Sequence, residues 1–200
     1  VLFRSHFNEI NRESTDYNKC CYVGGLTEIR GLFHMIRACH LAGKKLVLIG
    51  SIEPDIREKM ESMPEYECVE YIGVLPHDIA MKEAAKCAVG LSVLEPVAQY
   101  VGIDNLPTKV YEYMMLGMPV VLSDFPFFRR TIGRYKFGII VDSTNDQAIA
   151  DAINSITSDG IIMKSMGEEG QRAIREEMNW ELDAKKLVSF YDELTGEKRR

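Results

Sequence analysis

The sequence predicts an α/β domain with a doubly wound, mostly parallel, Rossmann-like sheet and a helical C-terminal tail. Three observations support this prediction. Short apolar runs recur along the 200 residues, helical stretches alternate with them, and the runs are apolar on both faces. Such runs are typical of strands covered by helices on both sides of a parallel sheet. Right-handed crossovers between these strands then wind the sheet in both directions.

The predicted strands are 20–23, 45–49, 69–72, 88–94, 118–122 and 139–141. Between them, Leu32, Met35, Ile36 and Cys39 recur at helical spacing, and further helices are predicted near 77–86 and 107–116. The pattern is helical again from 146 to 194, with breaks near 158–160 and 179–180. In a sheet of this kind ligands bind beyond the carboxyl ends of the strands. The loops that follow the apolar runs are therefore where a site is expected.

The composition excludes several classes of protein. A hydrophobic fraction of 46% and a net charge of -6 are typical of a globular protein and argue against a nucleic-acid groove, so no nucleic-acid partner is expected. The five cysteines form no C-x-x-C pair, which favours buried free thiols in a reducing, cytoplasmic compartment. The histidines lack zinc-site spacing, and no stretch reaches the length of a membrane span.

Residues 1–18 are polar and weakly periodic, and we expect them to form a linker or domain-boundary segment. The sequence starts Val1-Leu-Phe-Arg-Ser without an initiator methionine, so we expect it to begin inside a longer chain. Residues 19–200 are predicted to be a single ligand-binding domain that includes the C-terminal helices.

The first stretch that carries chemistry runs from Tyr22 to Gly31. A strand leads into Gly24 and Gly25 and then into a helix, so a ligand can approach the backbone and an anion can meet free N–H groups. Arg30 adds a charge-assisted contact to a phosphate. The alternative is a tight turn with a solvated Arg30.

The second stretch contains Asp104-Asn105-Leu106-Pro107-Thr108-Lys109 and continues to Glu112. Pro107 suits the first turn of a helix, whose positive end would point into the ligand crevice. Positions 105, 109 and 112 then lie on one side of that helix. The alternative is a capped helix with an i,i+3 ion pair between Lys109 and Glu112 at the surface.

The chemistry of this second stretch predicts one class of ligand. Free N–H groups and Lys109 suit a diphosphate, whereas the carboxylate of Glu112 suits a pair of vicinal hydroxyls such as a ribose diol. Asp104 could accept hydrogen bonds from another set of hydroxyls. Phosphates flanked by two sugars describe a nucleotide diphosphate sugar.

Two further stretches are weaker. Gly73 and Val74 follow the third strand and would lie at the crevice wall, where a base could meet backbone groups; an ordinary loop is the alternative. His77 is expected near a helix cap rather than as a catalytic base. The aromatic and arginine cluster at 125–130 is expected to pack or to contact another domain.

From about residue 22 to about residue 194, the sequence resembles the large family of retaining glycosyltransferases with a GT-B fold. The family's glycine turn under the donor diphosphate is matched by Gly24-Gly25-Leu26 and Arg30-Gly31, with Arg30 in place of a lysine and Gly25 in place of an arginine. Its two acidic residues separated by seven, followed by Gly-x-Pro-Val, are matched by Asp104, Glu112 and the segment 117–120.

The resemblance implies roles for these residues. Glu112 would hold the nucleotide ribose, and Asp104, although shorter than the usual Glu, would lie near the transferred sugar. The phosphates would rest on the backbone of 107–109 and on Lys109. Arg30, Lys109 and Asp104 would be the catalytic residues, with no cofactor and no metal.

The resemblance also implies the rest of the protein. The chain would be the C-terminal half of a two-domain enzyme of polysaccharide biosynthesis, inactive alone, with the C-terminal helix crossing to an N-terminal domain. It would transfer a hexose from a UDP-, GDP- or ADP-sugar, with retention, to a glycan or lipid-linked acceptor held by that domain. The full-length protein would be cytoplasmic, and contact with the inner face of the membrane stays open.

Two other functions remain as alternatives. One is a nucleotide-sugar 2-epimerase on the same fold, and the other is a non-catalytic nucleotide-sugar-binding module. The departures at Gly25 and Asp104 favour the second of these.

Overall fold

The computed structural model describes residue 12 and residues 14–195. Its centre is a parallel sheet of six strands in the order β3-β2-β1-β4-β5-β6. The strands are β1 (Asp16–Val23), β2 (Lys45–Ile49), β3 (Val69–Gly73), β4 (Cys87–Ser92), β5 (Val120–Ser123) and β6 (Gly138–Val141). The prediction of a doubly wound α/β fold is confirmed.

Helices connect the strands and form the C-terminal end. They are α1 (Leu32–Leu41), α2 (Pro54–Glu61), α3 (His77–Ala85), α4 (Ala98–Val101), α5 (Thr108–Met115), α6 (Pro126–Arg134), α7 (Asp146–Thr157), α8 (Gly160–Glu176) and α9 (Trp180–Thr195). The tail breaks between α7 and α8 and between α8 and α9, as the sequence indicated. Helices α2, α4 and α6 were not predicted.

Helices pack on both faces of the sheet, so the alternate residues of its central strands are buried on either side. In β2, Leu46 and Leu48 join one apolar cluster, to which α1 and α7 contribute. Val47 and Ile49 join the other, which contains residues of α3, α5 and α6. Because both faces are buried, the strands appear in the sequence as continuous apolar runs.

The segment predicted as a linker is partly integrated into the domain. Strand β1 begins at Asp16, so the linker prediction is wrong for residues 16–18. The guanidinium of Arg12 donates to the carbonyls of Gly117 and Cys87, both at 2.6 Å. Residues 1–11, residue 13 and residues 196–200 lie outside the described residues.

Three further features concern the cysteines, membrane spans and helix α9. All five cysteines are buried and free, as predicted. No helix within the described ranges is both long and apolar enough to span a bilayer. Helix α9 carries partly exposed apolar side chains, namely Trp180, Leu187, Val188, Phe190, Tyr191 and Leu194.

The strand order changes direction between β1 and β4, which lie side by side. The chain proceeds from β1 to β2 and β3 on one side and from β4 to β5 and β6 on the other. Loops that leave the carboxyl ends of β1 and β4 therefore diverge and leave a crevice between them. This topological switch point fixes the position of the site.

Candidate functional site

A pocket of about 500 Å³ lies at this switch point. The residues of the predicted site that line it are Gly24, Arg30, Asn105, Leu106, Pro107, Thr108, Lys109 and Glu112. The sequence did not identify the remaining lining residues, which are Val23, Leu94, Gln99, Tyr100 and Ile103. The pocket therefore brings together the glycine turn after β1 and the segment that leads into α5.

The glycines that follow β1 make room for two cations. Gly24 has a φ of 137°, and a Cβ on it would lie 3.3 Å from Cε of Lys109. A Cβ on Gly25 would lie 2.9 Å from Nη1 of Arg30. Side chains at these two positions would press against the ends of Lys109 and Arg30, and the positive φ of Gly24 also favours glycine there.

Arg30 ends a short 3-10 turn, Glu28–Arg30, directly before α1. Its Nη1 donates to the carbonyl of Gly25 at 3.3 Å. A side-chain hydrogen bond with Tyr100 is the largest influence on Arg30 and raises its pKa, so the guanidinium remains charged. Because both partners are neutral, the positive charge of Arg30 is available to an anion in the pocket.

Lys109 lies in the first turn of α5 with its ammonium group largely buried. Its Nζ donates to the hydroxyl of Tyr22 at 2.8 Å and lies 4.1 Å from the centre of the Tyr22 ring. Burial, and then the nearby charge of Arg30, lower the pKa of Lys109 to about 7, which Glu112 only partly opposes. Burial and Arg30 thus disfavour the charged form of Lys109, and an anion beside its Nζ would favour that form again.

Glu112 lies on the same face of α5, close to one turn further along. Its side chain is only 9% exposed, and its Oε1 is 2.7 Å from Nε2 of His77, the first residue of α3. The surface ion pair between Lys109 and Glu112, considered above as an alternative, is not formed: Lys109 bonds to Tyr22 and Glu112 to His77. A buried carboxylate in this position can accept hydrogen bonds from ligand hydroxyls.

The start of α5 provides the backbone part of the site. Pro107 precedes the helix in an extended conformation, and Thr108 is its first residue. The N–H groups of a first helical turn have no partner within the helix and carry partial positive charge. Oδ1 of Asn105 accepts from the backbone N–H of Leu106 and from the hydroxyl of Tyr111, which fixes the approach to the helix.

Four of the predicted site residues do not line the pocket. Asp104 has a side chain that is 90% exposed, 3.8 Å from Arg130 on α6. Val74 is 73% exposed, and Gly73 accepts a backbone hydrogen bond from Gly50. Gly25 accepts a hydrogen bond from Arg30 through its carbonyl.

Sequence reasoning missed the two tyrosines that hold the cations. The sequence pattern indicates that Tyr22 is a core residue of an apolar strand, and its side chain is fully buried. Tyr100 lies in α4, in a segment predicted to be a long loop. A tyrosine at the carboxyl end of a strand, next to a glycine pair, is the signal that could have pointed to the first of them.

Within the described residues, no group of three or more His, Cys, Asp or Glu side chains could hold a metal ion. The pocket instead combines two cations, a helix N-terminus and one buried carboxylate.

These features define an α/β domain of the Rossmann-like class with a pocket lined by Arg30 and Lys109 at its switch point. The chain belongs to the glycosyl transferase group 1 family, whose model matches residues 3–173. The match confirms the predicted glycosyltransferase family but does not test retention of configuration, and the fold is that of the C-terminal domain of GT-B glycosyltransferases.

Individual proteins are similar to this chain in sequence or in fold. The phosphatidyl-myo-inositol mannosyltransferase of Mycobacterium leprae is 24% identical over 149 residues, which are 74% of this chain and 37% of that protein. Sucrose-phosphate synthase from Thermosynechococcus elongatus superimposes with a TM-score of 0.76 at 20% identity, over 93% of this chain and 47% of that one. The Anabaena protein HepE in complex with UDP has a TM-score of 0.70 at 15% identity, over 86% and 49%. The chain therefore spans about half the length of these proteins or less.

Proposed function

We propose that this chain is the donor-binding half of a glycosyltransferase that uses a nucleotide diphosphate hexose. In the full-length protein the hexose would pass, with retention of configuration, to a glycan or lipid-linked acceptor. The observation that carries the proposal is the convergence of Arg30, Lys109 and Glu112 on one pocket, together with the N-terminus of α5.

Each part of the pocket has a role in this proposal. The diphosphate lies against the first-turn N–H groups of α5, with Lys109 and Arg30 on either side. Glu112 accepts hydrogen bonds from the ribose diol. Negative charge grows on the leaving diphosphate as the glycosidic bond breaks, and preorganised cations and a helix dipole stabilise that charge without any metal.

The comparison with known structures supports the class of donor. HepE, which shares the fold, holds UDP in its crystal structure. UDP-sugars are therefore the first donors to test, followed by GDP- and ADP-sugars, since the sequence left the base open.

Calorimetric titration with UDP-, GDP- and ADP-glucose tests donor binding. We expect one of them to bind, and we expect Glu112→Gln to weaken that binding about tenfold or more, because a charged acceptor for the diol is lost. The 2′,3′-dideoxy form of the same nucleotide should bind wild type and Glu112→Gln equally. The exposed Glu168 on α8 offers a control, and Glu168→Gln should bind like wild type. Wild-type affinity in Glu112→Gln would contradict the ribose assignment.

The reaction type needs the full-length protein. Incubation with the donor and a glycan acceptor should give a glycoside whose anomeric configuration, measured by NMR, equals that of the donor. Release of a free epimeric monosaccharide would instead support the 2-epimerase. Donor binding without any turnover in the full-length protein would support a non-catalytic module.

A further inference from the structure

The two cations of the pocket are held by neutral partners. Lys109 donates to the hydroxyl of Tyr22, and Arg30 donates to the carbonyl of Gly25 and is influenced by the nearby Tyr100. The buried carboxylate of the same pocket, Glu112, forms its hydrogen bond with His77 and not with either cation. An acidic partner would neutralise a cation, whereas a hydroxyl fixes its position and leaves its charge for the ligand.

Tyr22 is suited to hold Lys109 because both parts of its side chain contribute. The hydroxyl donates its single hydrogen to the carbonyl of Gly25 at 3.1 Å, so its lone pairs are free to accept from Nζ of Lys109. The ring lies 4.1 Å from the same nitrogen and attracts its positive charge. Burial raises the pKa of Tyr22 to about 12, so the hydroxyl stays neutral.

A lysine that no neighbour holds has a flexible side chain, and the conformational entropy lost on ordering it opposes ligand binding. Tyr22 sits on β1, in the middle of the sheet, and is fully buried. Its ring therefore provides a rigid seat that keeps the ammonium group in front of Gly24, where a diphosphate would lie. Ordering Lys109 before the ligand arrives reduces the entropic cost of donor binding.

This arrangement has an electrostatic consequence. The groups that act on Lys109 are Arg30 from the 3-10 turn, Glu112 from its own helix and Tyr22 from β1; His77 from α3 and Tyr100 from α4 act through Glu112 and Arg30. Burial and Arg30 prevail, and the pKa of Lys109 falls to about 7. A diphosphate placed beside Nζ would favour the charged form again.

We propose that Tyr22 is a positioning residue that seats Lys109 for the donor diphosphate, and that above neutral pH donor binding is coupled to the uptake of up to one proton by Lys109. This inference rests on the proposed function, because it assumes that the ligand carries a diphosphate. The proton passes from solvent to the neutral amine of Lys109, no other bond changes, and the charge gained pairs with a phosphate oxygen.

UDP-glucose is a suitable probe because its diphosphate is a diester and does not titrate near neutral pH. Titration in two buffers of different ionisation enthalpy, without phosphate, gives the number of protons taken up. We expect close to one proton at about pH 8.5 and a small fraction at about pH 5.5, with affinity falling up to about tenfold per pH unit above neutrality. In Lys109→Arg the uptake should disappear, since a guanidinium is always protonated.

Tyr22→Phe keeps the ring and removes the acceptor for Lys109. We expect UDP-glucose to bind this variant about fivefold to tenfold more weakly than wild type. We also expect a shift in the pH above which the affinity decreases. Tyr71→Phe is a matched control, because Tyr71 also donates to a glycine carbonyl, that of Gly50 at 3.0 Å, and does not line the pocket. It should leave both the affinity and the proton uptake unchanged.

The outcomes separate the inference from the proposed function. Binding without proton uptake at about pH 8.5, or equal affinity in Tyr22→Phe and Tyr71→Phe, would overturn the inference and leave the proposed function standing. If UDP-, GDP- and ADP-glucose all fail to bind at millimolar concentration, the proposed function falls, and the inference falls with it. Wild-type circular dichroism of each variant shows that it has folded.

Discussion

At the scale of single residues, Gly31 determines whether Arg30 reaches the pocket. Its φ is 75°, and a Cβ there would lie 1.9 Å from the carbonyl oxygen of Val93. Gly31→Ala must therefore displace the backbone after β4 in addition to adopting a left-handed conformation. We expect a lower free energy of unfolding in urea and weaker binding of a nucleotide sugar, because Arg30 moves with the turn.

Gly43 provides the control for that substitution. Its φ is 66°, but nothing lies within 4 Å of a Cβ added there. Gly43→Ala should cost only the conformational penalty of about 1–2 kcal/mol. Gly31→Ala should cost about 1–3 kcal/mol more than this. Equal losses in the two variants would show that the contact with Val93 does not constrain the turn.

Lys109 destabilises the folded protein in a way that depends on pH. Its folded-state pKa of about 7 is below its ordinary value of 10.5, so the unfolded chain binds more protons between those two values. Stability contributed through Lys109 therefore rises with pH across this window and is lowest below about pH 7. A buried amine that must be charged destabilises the fold.

Lys109→Met tests this relation. The variant should unfold at higher urea concentration than wild type at about pH 6. The difference in free energy of unfolding between Lys109→Met and wild type should shrink by up to about 1.4 kcal/mol per pH unit as the pH rises toward 10. The reason is that wild-type Lys109 then loses its proton in the folded state. A constant advantage over this range would mean that Lys109 keeps its ordinary pKa. The same variant should no longer bind the donor diphosphate well.

At the scale of elements, His34 of α1 links three parts of the fold. Its Nε2 is 3.1 Å from Oε1 of Glu95, in the loop after β4, and its Nδ1 is 2.5 Å from Oδ1 of Asp146, the first residue of α7. Glu95 lies at the start of the segment that leads to α4 and the pocket. His34 therefore fixes this segment against α1 and α7.

His34→Ala should reduce stability by about 1–3 kcal/mol, since two carboxylates lose a partner, and should weaken donor binding by loosening the segment after Glu95. His40→Ala is the control on the same helix. Its imidazole is 43% exposed and lies 3.6 Å from an exposed Glu67, so little should change. Urea denaturation and calorimetry with the donor measure both effects. Unchanged donor affinity in His34→Ala would show that the link does not reach the pocket.

The sequence predicted elements best where burial is periodic or complete. The six strands and the helices α1, α3, α5, α7, α8 and α9 follow from apolar runs and helical spacing. Helix α2 was missed because Met60 is its only buried side chain, so it has almost no apolar stripe. Helix α4 spans four residues, which is too short for a periodic pattern.

The same reasoning explains the outcome for the site. Arg30, Lys109 and Glu112 could be brought together from sequence because strand ends and helix faces follow from local spacing. Asp104 could not be placed, since the direction of a side chain in an irregular loop depends on tertiary contacts. Tyr22 and Tyr100 were missed because their roles arise from side chains distant in sequence.

At the scale of the whole molecule, the pocket joins two halves of the sheet. Arg30 lies in the connection between β1 and β2, in the half of the sheet that contains β1, β2 and β3, whereas Lys109 and Glu112 belong to the connection between β4 and β5. A ligand that contacts all three bridges the halves at the switch point. Its binding should therefore stabilise the domain as a unit and not only the loops that it touches.

Thermal unfolding with and without the donor tests this bridging. At a donor concentration 100 times the Kd, the folded state gains about 2.7 kcal/mol, which raises Tm by about 5–10 °C for a domain of this size. A nucleoside without phosphates should give a much smaller shift, since it leaves Arg30 and Lys109 without an anion. A two-step transition whose first step alone responds to the donor would contradict bridging, because the halves would then unfold separately.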